Sequence, residues 1–144
     1  MKKVLVTGGA GYIGSHTVVS LKDKGFYPVI VDDLRSSSSF ILEGLSTMLK
    51  DGYAFHCEDV CNVDSMTKIF REHRFDAVIH FAAYKSVGES CEEPLKYYQN
   101  NLQGLTNILR LCEEFGVPKF VFSSSCTVYG EPQGIKEVSE EMAA

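Results

Sequence analysis

The stretch VTGGAGYIGSH, residues 6–16, joins a β-rich run to a segment of helical periodicity. Its glycines at 8, 11 and 14 have the spacing G-x-x-G-x-x-G. That pattern suits a tight turn, a backbone approaching a pyrophosphate, and close helix–strand contact. Free N–H groups at the start of the following helix would supply the anion site. A Walker-type phosphate loop would need Lys before Ser, whereas Gly14 is followed by Ser15 and His16. Asp32 stands 18 residues past Gly14, at the end of the next β-rich run. A carboxylate there accepts hydrogen bonds from both ribose hydroxyls of adenosine. It would repel a 2′-phosphate by several kcal/mol, taking about 4 Å and an effective dielectric near ~20. NAD is therefore expected ahead of NADP, although Arg35 offers a charge that could accommodate the phosphate. Asp59, in EDV at 58–60, could meet the adenine amino group.

Two further clusters carry chemistry. HFAAYKSVGES, residues 80–90, falls at the carboxyl end of a β-rich run, the edge where open α/β sheets take ligands. Ala82 and Ala83 are small enough to let backbone approach a cofactor, and Lys85 could reach a phosphate or a ribose hydroxyl. FSSSCTVYG, residues 122–130, places three serines after another such run. Strand alternation would put Ser123 and Ser125 on one side and Ser124 on the other. No G-x-S-x-G elbow surrounds them, so a hydroxyl that orients a substrate fits better than a nucleophile. His16, His56, His73 and His80 all fall in predicted strands or helices and read as structural, and Tyr129 reads as a packing residue. Cys57 and Cys61 are four apart, but no second pair completes a zinc set, so no metal is expected.

These residues need a scaffold, and the pattern supplies one. Strands are expected at 3–7, 28–32, 53–57, 76–81 and 119–124. A helix follows the glycine loop and ends near Gly25. Asn62 can cap a second, carrying Val63, Met66 and Phe70 on one face. A third has Pro94 in its first turn and Leu105, Ile108, Leu109 and Cys112 at helical spacing, with Gly116 as its stop. RSSSS at 35–39 reads as a surface loop. Alternating strands and helices define an α/β class, a Rossmann-like, doubly wound parallel sheet of five strands.

The 144 residues are 44% apolar and 23% charged, with net charge −5, so one soluble domain is expected. With no basic block and no long apolar run, neither nucleic acid nor membrane is an expected partner. Five scattered cysteines fit a reducing cytosol.

TGGAGYIGSH, HFAAYKSVGES and FSSSCTVYG, in this order, resemble the extended short-chain dehydrogenase/reductase family. Within it they are most similar to the branch that interconverts UDP-glucose and UDP-galactose. The resemblance spans essentially the whole chain. It implies that the loop glycines, backbone at Tyr12 and Ile13, and the Asp32 side chain hold NAD. Asp33, Leu34, Arg35, Ser36, Ser37, Asp59, Val60, Phe81, Ala82, Ala83, Tyr84, Lys85 and Asn100 would complete the cofactor shell. It further implies Ser125 as the catalytic hydroxyl, with Lys85, Ser86, Val87, Ser123 and Ser124 lining the sugar site. Ala83 stands where glycine is frequent in the family, and Cys126 where alanine is.

The implied chemistry is reversible oxidation at C4. A tyrosinate takes the hydroxyl proton, hydride passes to NAD, the keto sugar turns, and hydride returns to its other face. The family's tyrosine belongs to a Y-x-x-x-K pair after the serine loop. None of the seven tyrosines here has Lys four residues on. The expectation is therefore an amino-terminal portion of a longer enzyme. Residues 1–144 would be an incomplete NAD-binding domain, with the sugar-nucleotide domain absent and no activity alone. The intact enzyme is expected to be a homodimer, and the shortened sheet to expose an apolar edge. Another nucleotide-sugar enzyme (a 4,6-dehydratase, decarboxylase or reductase) and a non-catalytic NAD-binding module remain open alternatives.

Overall fold

A computed structural model describes residues 1–125, Val128 and Ser139. The readings placed on Cys126 and Tyr129 lie outside the described residues. Five parallel strands, β1 (Lys3–Thr7), β2 (Tyr27–Val31), β3 (Ala54–His56), β4 (Ala77–His80) and β5 (Phe120–Phe122), form one sheet in the order β3-β2-β1-β4-β5. The chain builds outward from β1 in one direction, then returns to add β4 and β5 on its other side. The reversal between β1 and β4 is the topological switch point of such a sheet.

Side-chain alternation along the strands produces two cores. Val4, Val6 and Ile30 face one layer, where Val18, Leu45 and Leu49 meet them from α1 (Tyr12–Asp23) and α2 (Ser39–Leu49). Leu5, Val29, Val31 and Val78 face the other, against Met66, Ile69 and Phe70 of α3 (Val63–His73) and Ile108, Leu111 and Cys112 further on. A period of two along each strand puts successive residues in opposite layers, so runs such as VLV are apolar throughout.

Most boundaries match the sequence reading to within a residue or two. Asn62 caps α3, its Oδ1 accepting the Ser65 N–H at 3.2 Å. The sequence had assigned no helix between β2 and β3. There Ser38, within the serine run, is an N-cap accepting the Phe40 N–H at 3.3 Å, and α2 begins at Ser39, the last serine of the run.

The expected helix starts at Pro94 and runs without a gap through α5 (Pro94–Tyr97), a π-helical turn (Tyr98–Gln103) and α6 (Gly104–Glu114), with a short α4 (Val87–Glu92) before it. Its inward stripe differs. Gly104, Ile108, Leu111 and Cys112 are buried, whereas Leu109 is 44% exposed. Gly104 explains the rotation, because a Cβ there would sit 2.8 Å from Val60 Cγ2. The helix can press against Val60 only along its glycine face. Gly116 takes φ +65° just beyond α6, as its stopping role requires. β5 ends the sheet order, with Val121 56% and Phe122 50% exposed, the apolar edge that the sequence predicts.

Candidate active site at the sheet switch point

The glycine loop occupies the carboxyl end of β1. Gly8 has φ +68° and donates its N–H to the Val31 carbonyl at 2.8 Å. A Cβ at Gly8 would lie 2.8 Å from the Ala82 nitrogen and 2.9 Å from the Phe81 carbonyl carbon. Glycine is thus required both by backbone conformation and by the approach of the β4 end. Gly11 turns its N–H back to the Gly8 carbonyl at 3.1 Å and serves as N-cap of α1 without a side-chain cap. Tyr12 and Ile13, exposed in the first helical turn, therefore present N–H groups that have no acceptor within the helix. At Gly14 a Cβ would be 2.2 Å from the Gly8 carbonyl oxygen, so helix and loop meet at their limit of approach.

Asp32 follows β2 and is buried. Its Oδ2 accepts the Ala10 N–H at 3.1 Å and the Ser37 hydroxyl at 3.4 Å, while Oδ1 accepts the Leu34 N–H at 2.9 Å. The carboxylate is thereby fixed against the glycine loop.

A cluster absent from the sequence reading lies beside it. Arg35 donates to the Tyr84 hydroxyl and to Asp59 Oδ2, both at 2.5 Å, and pairs with Asp33 at 2.6 Å. Its guanidinium is held further above its ordinary pKa, first by the Tyr84 hydrogen bond and then by the two carboxylates. Burial alone would raise the Asp59 pKa, but the Cys61 N–H and Arg35 outweigh it and hold the carboxyl below its usual range. Asp59 Oδ1 accepts that Cys61 N–H at 2.8 Å. The residue expected to meet adenine is thus already bound, and Arg35 spans from it to Tyr84. These partners are 24 and 49 residues apart, which is why no local pattern revealed them.

The loop after β4 is held by its own set. Phe81 donates its N–H to the Thr7 carbonyl at 3.0 Å, and Asn101 forms a two-way amide pair with Tyr84 backbone at 2.8 and 3.0 Å. Asn101, which the sequence reading missed, braces the loop. Asn100, which it named, donates to Asn101 at 3.0 Å. The Ser86 N–H donates to the Tyr97 hydroxyl at 3.1 Å, and that hydroxyl donates to Glu89 at 2.6 Å. Lys85, Ser86 and Val87 are exposed where α4 begins, and Ala83 is exposed beside them. Val60 is buried, and its carbonyl already accepts Asn107 at 3.2 Å, so its side chain belongs to the core.

Ser123, Ser124 and Ser125 are exposed just after β5 instead of extending it, so strand alternation does not govern them. The Ser123 N–H still donates to the His80 carbonyl at 3.1 Å, and Ser125 accepts the Val128 N–H at 3.4 Å. His80 is structural, as expected. Its Nδ1 and the Thr7 hydroxyl are 2.7 Å apart, it stacks on Phe122, and burial lowers its pKa to about 4.

A glycine loop, a buried acid after β2 and a short-residue loop after β4 converge at the switch point of a parallel sheet. Together they define a Rossmann-type dinucleotide-binding protein. The chain belongs to the NAD-dependent epimerase/dehydratase family, whose pattern matches residues 4–144. It is 51% identical over 132 residues to the UDP-glucose 4-epimerase of Neisseria meningitidis serogroup C, covering 92% of this chain and 39% of that protein. The solved UDP-glucose 4-epimerase of Bifidobacterium longum, in complex with NAD+ and UDP, superposes with a TM-score of 0.90 at 40% identity, over 98% of this chain and 42% of that one. The Stenotrophomonas maltophila enzyme, with bound NAD and formylated UDP-arabinopyranose, gives 0.88 at 43% identity, over 99% and 42%. The chain thus spans about two-fifths of the length of these relatives.

Proposed function

We propose that this chain is the NAD-binding part of a UDP-glucose 4-epimerase, which interconverts UDP-glucose and UDP-galactose by transient oxidation at C4. One observation carries the reading: Gly8 seats against Ala82 while Asp32 is fixed to the same loop by Ala10. The N–H groups of Tyr12 and Ile13 would take the pyrophosphate, and Asp32 the ribose hydroxyls. Asp59 would take the adenine amino group. NAD, when bound, supplies a hydride acceptor that can return what it receives. Ser125 is proposed to hydrogen-bond the sugar 4-hydroxyl, with Ser123, Ser124 and the 85–87 loop around the sugar. A base must remove that hydroxyl's proton, and the sequence offers no Tyr four residues before a Lys. The 144 residues alone should therefore bind NAD without turning over the sugar nucleotide.

For the longer enzyme a homodimer is proposed, supported by exposed Leu95, Tyr98, Leu102 and Leu109 at near-helical spacing. The cytosol is the proposed compartment, supported by free thiols at Cys57, Cys61, Cys91 and Cys112. Conversion of UDP-galactose by the product of an open reading frame that contains this chain tests the activity. Turnover that falls at least a hundredfold in Ser125→Ala is expected. No epimerisation by that product, or full activity in the variant, would refute the assignment.

A further inference from the structure

The strongest unassigned feature is a side-chain cluster at the edge of the sheet, where the ends of β3 and α3 meet. His56 closes β3, His73 closes α3, and Glu72 precedes it. The two Nε2 atoms are 2.7 Å apart, with rings edge-on at 75°. Glu72 Oε1 lies 3.6 Å from His73 Nε2, and the three donor atoms all fall within 4.8 Å of one another. At 2.7 Å only one ring can carry a proton on its facing nitrogen, so the other directs a bare lone pair into the gap. The His73 ring is anchored, since its side chain is 10% exposed and stacks on Phe75 at 5.8 Å. Glu72 is exposed and free to swing.

We propose that His56, His73 and Glu72 form a binding site for a borderline divalent metal ion such as Zn2+. Two imidazoles and one carboxylate suit zinc, cobalt or nickel. They lack the thiolates that select copper(I) and the all-oxygen set preferred by magnesium and calcium. Tetrahedral zinc with Zn–N bonds of about 2.0–2.1 Å holds its nitrogens about 3.3 Å apart. The rings must therefore open by about 0.6 Å, a small rotation for the part-exposed His56. The proton account closes within the pair. The donor ring moves its proton from Nε2 to Nδ1, both Nε2 lone pairs bind the ion, and no proton leaves. The remaining coordination position falls to water. The Asp32 N–H donates to the His56 carbonyl at 3.2 Å, so the ion would clamp the edge strand one hydrogen bond from the ribose-binding acid.

Titration of the metal-stripped chain with zinc by calorimetry tests this, with cobalt absorption reporting ligand type. One zinc per chain is expected, weakened at least tenfold in His56→Gln and in His73→Gln and several-fold in the surface variant Glu72→Gln. The cobalt spectrum should lack a sulfur-to-metal charge-transfer band, and Cys57→Ser should bind as the parent does. Absence of saturable binding, equal affinity in His56→Gln and Glu72→Gln, or a thiolate band would overturn the proposal. Should His73→Gln fail to fold, the other two variants decide it.

Discussion

Gly14 offers a severe test of the loop geometry. An alanine Cβ would sit 2.2 Å from the Gly8 oxygen, 2.8 Å from Gly9 Cα and 2.9 Å from the Gly8 carbonyl carbon, where ordinary contact is 3.4–4 Å. All three atoms are backbone, so no side chain can turn aside. Overpacking typically costs about 1–3 kcal/mol, and a rigid backbone neighbour puts Gly14→Ala near the upper end, about 3. Alanine's better helix propensity returns about 1 kcal/mol, for a net loss of about 2. At this chain length that lowers the melting temperature by about 6–8 °C. Gly44, in α2, is the matched control, because a Cβ there meets nothing within 4 Å. Gly44→Ala should gain about 0.5–1 kcal/mol. Thermal melts of both variants against the parent decide the matter. A Gly14→Ala melting point within 1 °C of the parent, or the same direction of shift in both, would refute the packing argument.

Three other expectations are within easy reach. His80 is charged less readily in the fold, about 4 against an ordinary 6.5, so below pH 6.5 the unfolded state takes up a proton that the folded state refuses. Stability should fall with pH from 6.5 to about 4, by up to about 3 kcal/mol, and urea midpoints of the parent and His80→Asn should converge over that window. Equal pH slopes in the two would count against a neutral buried imidazole. Asn62→Ala should cost about 1 kcal/mol by removing the α3 cap, read as a lower urea midpoint at unchanged m value. With Asp32 as the proposed ribose acceptor and Arg35 engaged by Asp33, Asp59 and Tyr84, NADP should bind at least about a hundredfold more weakly than NAD at low salt. Dissociation constants within threefold of each other would contradict that.

What the sequence disclosed was local. The Asn62 cap and the Gly116 helix stop each depend on neighbours a few residues away, and both form as the spacing predicts. The alternation of strands with helices likewise implied a sheet covered on both faces, and both cores are present. Apart from α2, a local helix hidden behind the serine run, the misses share a long reach. The Arg35 clamp joins residues from three separate loops, and the Thr7–His80 bond closes over 73 residues. Leu109 was misassigned because helical spacing alone cannot show that Gly104 is the point of closest approach. His56 and His73 look like isolated strand and helix residues until the fold brings the ends of β3 and α3, and with them the two nitrogens, together.

The central claim is that the switch-point loop and Asp32 make an NAD site. Calorimetric titration of the 144-residue chain with NAD, alongside Asp32→Ala, tests it most directly. One NAD bound per chain is expected, with a loss of at least tenfold in affinity for the variant and both chains folded by circular dichroism. Equal affinity in the two folded chains, or no binding by the parent, would contradict it.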